Sequence, residues 1–97
     1  MKLIVDTYYL GKDDERKINV LKDNFKIKIL DEEFNMEETE KKYTIEIIKE
    51  NIIKMKLEEI LEIKKELEKY NDFILRIFLV DNENQIVLYN DDEIYFI

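Results

Sequence analysis

The sequence predicts an α+β fold: a mainly antiparallel β-sheet of about five to seven strands with one main helix near residues 58–70 packed on one face. Three observations predict it. The stretch EEILEIKKELEKY, Glu58 to Tyr70, sets Ile60, Leu61, Ile63, Leu67 and Tyr70 on one helical stripe. The stretches on either side are short, rich in Ile, Val, Phe and Tyr, and alternate at the period of a strand. Clusters of Asp and Asn punctuate them, in a chain with no proline and one glycine.

The helix carries Glu58, Glu59, Glu62, Lys65, Glu66 and Lys69 on its polar face. Its Glu-rich first turn and Lys69 in its last suit the helix dipole. A helix this short is marginal alone, so its apolar stripe must be buried. Each buried Leu or Ile contributes about 1.5–3 kcal/mol, and the sheet is the surface available to cover them.

In chain order, Lys2–Tyr9 reads as a strand and Leu10–Asp14 as a turn, with Gly11 suited to positive φ. Ile18–Leu21 reads as a weak strand, with a short helix over Asp13–Leu21 as the alternative, and Lys22–Asn24 as a turn. Phe25–Leu30 alternates, with Phe25, Ile27 and Ile29 inward and Lys26 and Lys28 outward. Asp31–Lys42 is a polar break, either a loop or a short helix capped by Asn35. Tyr43–Leu57 fits a hairpin turning at Glu50-Asn51, or a helix continuous with the main one; its β-branched residues favour the hairpin. Asn71-Asp72 stops the main helix. Phe73–Val80, apolar on both faces except at Arg76, reads as a central strand. Asp81–Asn84 turns, Gln85–Tyr89 returns antiparallel, Asn90–Asp92 turns again, and Glu93–Ile97 ends the chain as a strand. With one main helix, Ile48, Ile52, Ile74, Phe78, Val80, Val87, Tyr89 and Tyr95 fall on the second sheet face, covered by curling of the sheet or by a partner.

Length and composition bound the function. The 97 residues suit one domain with one core, and 45% hydrophobic residues suffice to fold it despite 41% charged ones. The absence of cysteine removes disulfides and thiol chemistry and fits a reducing, cytoplasmic setting. No apolar run is long enough for a membrane span or a signal peptide. Ser and His are also missing, so nucleophilic triads and the usual proton shuttle have no material, and no glycine-rich phosphate loop exists. No catalytic residue, metal ligand or cofactor is assigned. Asp81–Gln85 lacks the glycine and the glutamate of a calcium loop, and Asp91, Asp92 and Glu93 with Asp6 make only a generic acidic cluster.

The net charge is −8, unevenly spread. Residues 1–30 are net +2, residues 31–46 net −5, residues 47–70 neutral and residues 71–97 net −5. Direct nucleic-acid binding along a basic stripe is disfavoured. The acidic blocks keep the chain soluble, and they are also the candidate site. That site is Asp31, Glu32, Glu33, Glu37, Glu38 and Glu40, with Asp81, Glu83, Asp91, Asp92 and Glu93, and with tyrosines such as Tyr89 and Tyr95 as anchors. Such a surface fits a partner protein with a basic, nucleic-acid-binding groove. Small anti-restriction and anti-CRISPR proteins of phages work in this way, a likeness of size and charge with no shared motif. The alternatives are a homo-oligomerising structural module, a homodimer through the second sheet face or a free edge, and an enzyme using carboxylate-bound metal.

Overall fold

Leu3, Val5 and Thr7 lie on one face of the first strand and are fully buried, and Ile4, on the other face, is 4% exposed. A strand apolar on both sides belongs inside a sheet. The computed structural model, which describes residues 1–12, 16–35 and 40–90, puts it there. The elements are β1 (Lys2–Thr7), β2 (Leu10–Gly11), α1 (Arg16–Asn24), β3 (Ile27–Phe34), β4 (Glu40–Ile47), α2 (Leu57–Leu67), β5 (Ile74–Asp81) and β6 (Asn84–Asn90). The fold is α+β, as the sequence predicts, with six antiparallel strands in one sheet among the described residues.

β1 pairs with β4 on one edge and β5 on the other. β3 takes the far edge of β4, and β6 the far edge of β5. Lys41 lies between Phe34 and Leu10, so β2 prolongs the edge that β1 begins. The long strands therefore run in the order β3-β4-β1-β5-β6. β1-α1-β3 and β4-α2-β5 each join parallel strands with one antiparallel strand between them, the split βαβ arrangement of ferredoxin-like folds, here with β6 added at one edge.

Both helices pack on one face. Ile18 and Leu21 of α1 and Ile60, Ile63 and Leu67 of α2 share one core with Leu3, Val5, Ile45, Ile47, Ile77 and Leu79. α2 matches the predicted main helix, extended by a 3₁₀ turn over Glu68–Tyr70. Tyr70 meets Phe25 edge-on at 6.5 Å and Phe73 at 5.9 Å, tying the ends of both helices to the start of β5. Lys17 reaches Asp72 at 2.9 Å across the same corner.

Several expectations are corrected. Residues 16–24 form a helix, the alternative to the expected strand at Ile18–Leu21, and Lys22–Asn24 is its last turn. A strand would have put Ile18 and Val20 on one face; instead Ile18, Leu21 and Phe25 are buried and Val20 is exposed. Within the polar break at Asp31–Lys42, residues 31–34 and 40–42 are strand, the backbone ladder outweighing the poor strand preference of the acids, while the alternative helix capped by Asn35 falls on residues 36–39, outside the described ones. Residues 43–57 form neither the hairpin nor a continuous helix. The turn at Glu50-Asn51 is present, with Asn51 at φ 60°, but the chain then makes a 3₁₀ turn over Ile52–Lys54 and enters α2. Both edges of β4 are occupied, by β1 and β2 on one side and β3 on the other, so a returning strand has no place to pair.

Gly11 lies in β2 without positive φ, which among the described residues is taken by Asn51 and Asn82. β5 is internal as expected, but the middle strand is β1. Ile52, Ile74 and Tyr89, expected on the second face, pack against the helix-side core. The Asn90–Asp92 turn and the Glu93–Ile97 strand fall outside the described residues, except that Asn90 ends β6.

Where β1 gives way to β2, the ladder along β4 is interrupted between Asp6–Thr44 and Leu10–Lys41. The Thr7 hydroxyl fills the gap: it accepts the Tyr43 N–H at 3.0 Å and donates to the Tyr8 carbonyl at 2.8 Å. On the other edge the Tyr8 N–H donates to the Phe73 carbonyl at 2.9 Å.

Two predictions test this packing. Leu67→Ala is expected to cost about 2–5 kcal/mol in chemical denaturation, and Leu57→Ala, 66% exposed on the same helix, less than about 0.5 kcal/mol. Thr7→Val keeps the shape and orphans the Tyr43 N–H; the expected loss is about 1–3 kcal/mol, with faster amide exchange at Tyr43.

Candidate functional site

Pairing fixes which way each predicted acid points. Opposed residues share a face, and Tyr43, Ile45 and Ile47 of β4 face the core. Asp31 lies opposite Thr44 and Glu33 opposite Lys42, so both point away from the helices. Glu32, opposite Tyr43, points to the helix side, beyond the reach of the core, and all three are exposed. Glu40, at the start of β4, is also exposed. Lys42 stands beside Glu33, and Lys41 places its ammonium 5.1 Å from the centre of the Phe34 ring, so lysines of β4 dilute the acidic block of β3.

Asp81 and Glu83 are exposed at the β5–β6 hairpin. Its two-residue turn is Asn82-Glu83, with Asn82 at φ 55°, a left-handed conformation that asparagine tolerates. Asp31 is level with Arg76 across the sheet, and Asp81 lies five residues further along β5. Three strand spacings and five residue rises separate Asp31 from Asp81 by roughly 22 Å. That exceeds the Debye length of about 8 Å at physiological salt. The acids of β3 and those of the hairpin are therefore two patches at diagonal corners of the sheet. Glu37, Glu38, Asp91, Asp92, Glu93 and Tyr95 lie outside the described residues. Tyr89 is half-buried opposite Ile77, so the fold already uses part of its ring; Tyr9 is the more exposed tyrosine.

The register also assembles a row that the sequence conceals. Asp31, Thr44, Asp6, Arg76 and Asn90, one from each of five strands, line up across the face opposite the helices. The Thr44 hydroxyl donates to an Asp6 carboxylate oxygen at 3.2 Å. The Nε of Arg76 is buried without a hydrogen-bond partner. Lys28, Glu46, Ile4, Phe78 and Val87 form the next row, so the polar row borders charged residues on β3 and β4 and apolar ones from β1 to β6. Arg76 inside FILRIFLV is the one signal of this row in the sequence; its neighbours come from strands remote along the chain.

Among the described residues, no three His, Cys, Asp or Glu side chains converge to hold a metal ion. A hollow of about 220 Å³ lies between Asn24, Phe25, Glu66, Lys69 and Tyr70 and is open to solvent. No described helix is long and apolar enough to cross a membrane. Comparison with protein-family models, curated proteins and solved structures finds no match. The functional reading therefore rests on this chain's own residues.

The orphaned Nε makes Arg76 a test of what the polar row costs. Arg76→Met keeps the aliphatic stem and removes the unpaired donor, and is expected to raise stability by about 1 kcal/mol in chemical denaturation.

Proposed function

We propose that the protein is a non-enzymatic acidic binding module, most concretely a small inhibitor that occupies a basic, nucleic-acid-binding surface of a partner protein, in the manner of phage anti-restriction and anti-CRISPR proteins. One observation carries this reading: a chain of net charge −8, without Ser, Cys or His, holds Asp31, Glu32, Glu33 and Asp81 exposed on strands and Glu83 exposed in the hairpin turn. Carboxylates fixed on strands lose less freedom on binding than the same groups on a loop, so more of their attraction survives as affinity. Asp31 and Glu33, on one face and about 7 Å apart along β3, present the cationic partner with a regular pair. The overall negative field steers a basic protein toward the chain before contact.

The test is capture on the immobilised full chain from nuclease-treated lysate of the cells that encode it, washed at low and at high salt. The expected result is a basic nucleic-acid-binding protein, retained at low salt, released at high salt, and prevented by the free chain from binding its nucleic acid. Exposed charges contribute up to about 1 kcal/mol each, so the triple substitution Asp31→Asn, Glu32→Gln, Glu33→Gln is expected to weaken that complex roughly tenfold. Its effect should add to that of Asp81→Asn with Glu83→Gln, because the patches are far apart. Recovery of only further copies of the chain, or a complex indifferent to salt and to both sets of substitutions, overturns the reading.

A further inference from the structure

The two outer edges of the sheet differ in charge. β3 carries Lys28, Asp31, Glu32 and Glu33, and charges along an edge strand deter pairing with another chain. β6, NQIVLYN, carries none. Among the described residues, no strand pairs with its outer edge. Ile86 and Val87 are 57% and 56% exposed. Ile86 lies opposite Leu79 and Val87 opposite Phe78, so the two point to opposite faces. A neutral, β-prone edge with apolar side chains on both faces is a template for an added strand.

The flanking charge selects what is added. Asp81 and Glu83 stand at the hairpin end of β6, Asp91, Asp92 and Glu93 follow Asn90 in the sequence, and no basic residue occurs after Arg76. A second copy, paired antiparallel through β6, has no cation on that strand to meet Asp81 and Glu83. A strand ending in cations meets the same groups favourably.

We propose that the outer edge of β6, from Asn84 to Leu88, receives an extended segment of a partner protein, antiparallel, apolar at alternate positions, with Lys or Arg at the end that reaches Asp81 and Glu83. The inference rests on the reading of the chain as a protein-binding module and specifies how the partner docks. Main-chain hydrogen bonds supply affinity, Val87 meets the apolar positions on its face while Ile86 borders the intervening ones on the other, and the acids fix direction and register.

The probe is a fluorescein-labelled synthetic octapeptide of alternating Val and Thr ending in two lysines, titrated into the full chain by anisotropy. Its controls end in two glutamates or carry a central proline. The expected result is saturable binding of the lysine peptide, at least tenfold weaker binding of both controls, and slowed amide exchange on binding confined to β6. Val87→Lys, at an exposed position, should abolish binding with the circular dichroism spectrum unchanged; Ile86→Lys is the second variant should the first fail to fold. Equal binding of the glutamate peptide, or protection elsewhere in the chain, overturns the proposal. So does protection of Asn84–Leu88 in the unbound chain that rises with concentration alongside a doubled mass, which assigns the edge to a second copy. Protection lost only on truncation after Asn90 assigns it to the chain's own last residues and equally overturns it. A captured, salt-sensitive partner indifferent to Val87→Lys refutes this docking mode and leaves the binding reading standing; failure to capture any partner refutes the reading itself.

Discussion

The structure depends on the double pairing of β1. Leu3–Asp6 pair with β4 on one side and Lys2–Thr7 with β5 on the other, and Leu3, Val5 and Thr7 on one face and Ile4 on the other are buried. No other strand combines that position with so little exposure, and the rest of the topology follows from it. β4 and β5 run parallel to one another on either side of β1, so the segment joining them must cross over, and α2 is that crossover. β3 and β6 are left as the outer edges, and the long-range ladders can form only when distant parts of the chain meet. The Thr7 hydroxyl, bonded to a backbone N–H 36 residues away, keeps this arrangement closed where the β1 ladder breaks.

This topology also decides the electrostatics. Acidic residues that cluster in the sequence become two separate corners, one at the β3 edge and one at the β5–β6 hairpin, with the lysines of β4 beside the first. The charge of −8 acts as a whole only at long range and low salt; at contact, each corner acts for itself. The polar row from Asp31 to Asn90 crosses the face opposite the helices between them. Under the proposed binding role, contact is therefore local, and the uncharged β6 edge differs in kind from the charged β3 edge.

Where the sequence reading holds, the signal is periodic and self-contained. The stripe of Ile60, Ile63 and Leu67 needs only the geometry of one helix, and the apolar run Phe73–Val80 needs only the length of one strand. Where it fails, two states compete within one segment and a distant neighbour decides. Ile18, Val20 and Leu21 fit strand or helix equally; the core chose the helix by burying Leu21 with Phe25 and leaving Val20 outside. The acids 31–33 look like a loop in isolation and form a strand because β4 offers a continuous ladder. Ile53 to Leu57 alternate like a return strand and do not pair, because both edges of β4 are already filled.

The sequence by itself determined the class of fold, the main helix, the hairpin at Asn82-Glu83, the absence of Ser, Cys and His and the net charge, since each depends on residue identity or on spacing within one element. Only the tertiary structure decided which strand is central, which edges stay open, that Asp31 and Asp81 stand far apart, and that Arg76 shares a row with Asp6 and Thr44. Those are properties of register between strands remote in sequence, and register is set by the burial of whole faces, which no single segment encodes.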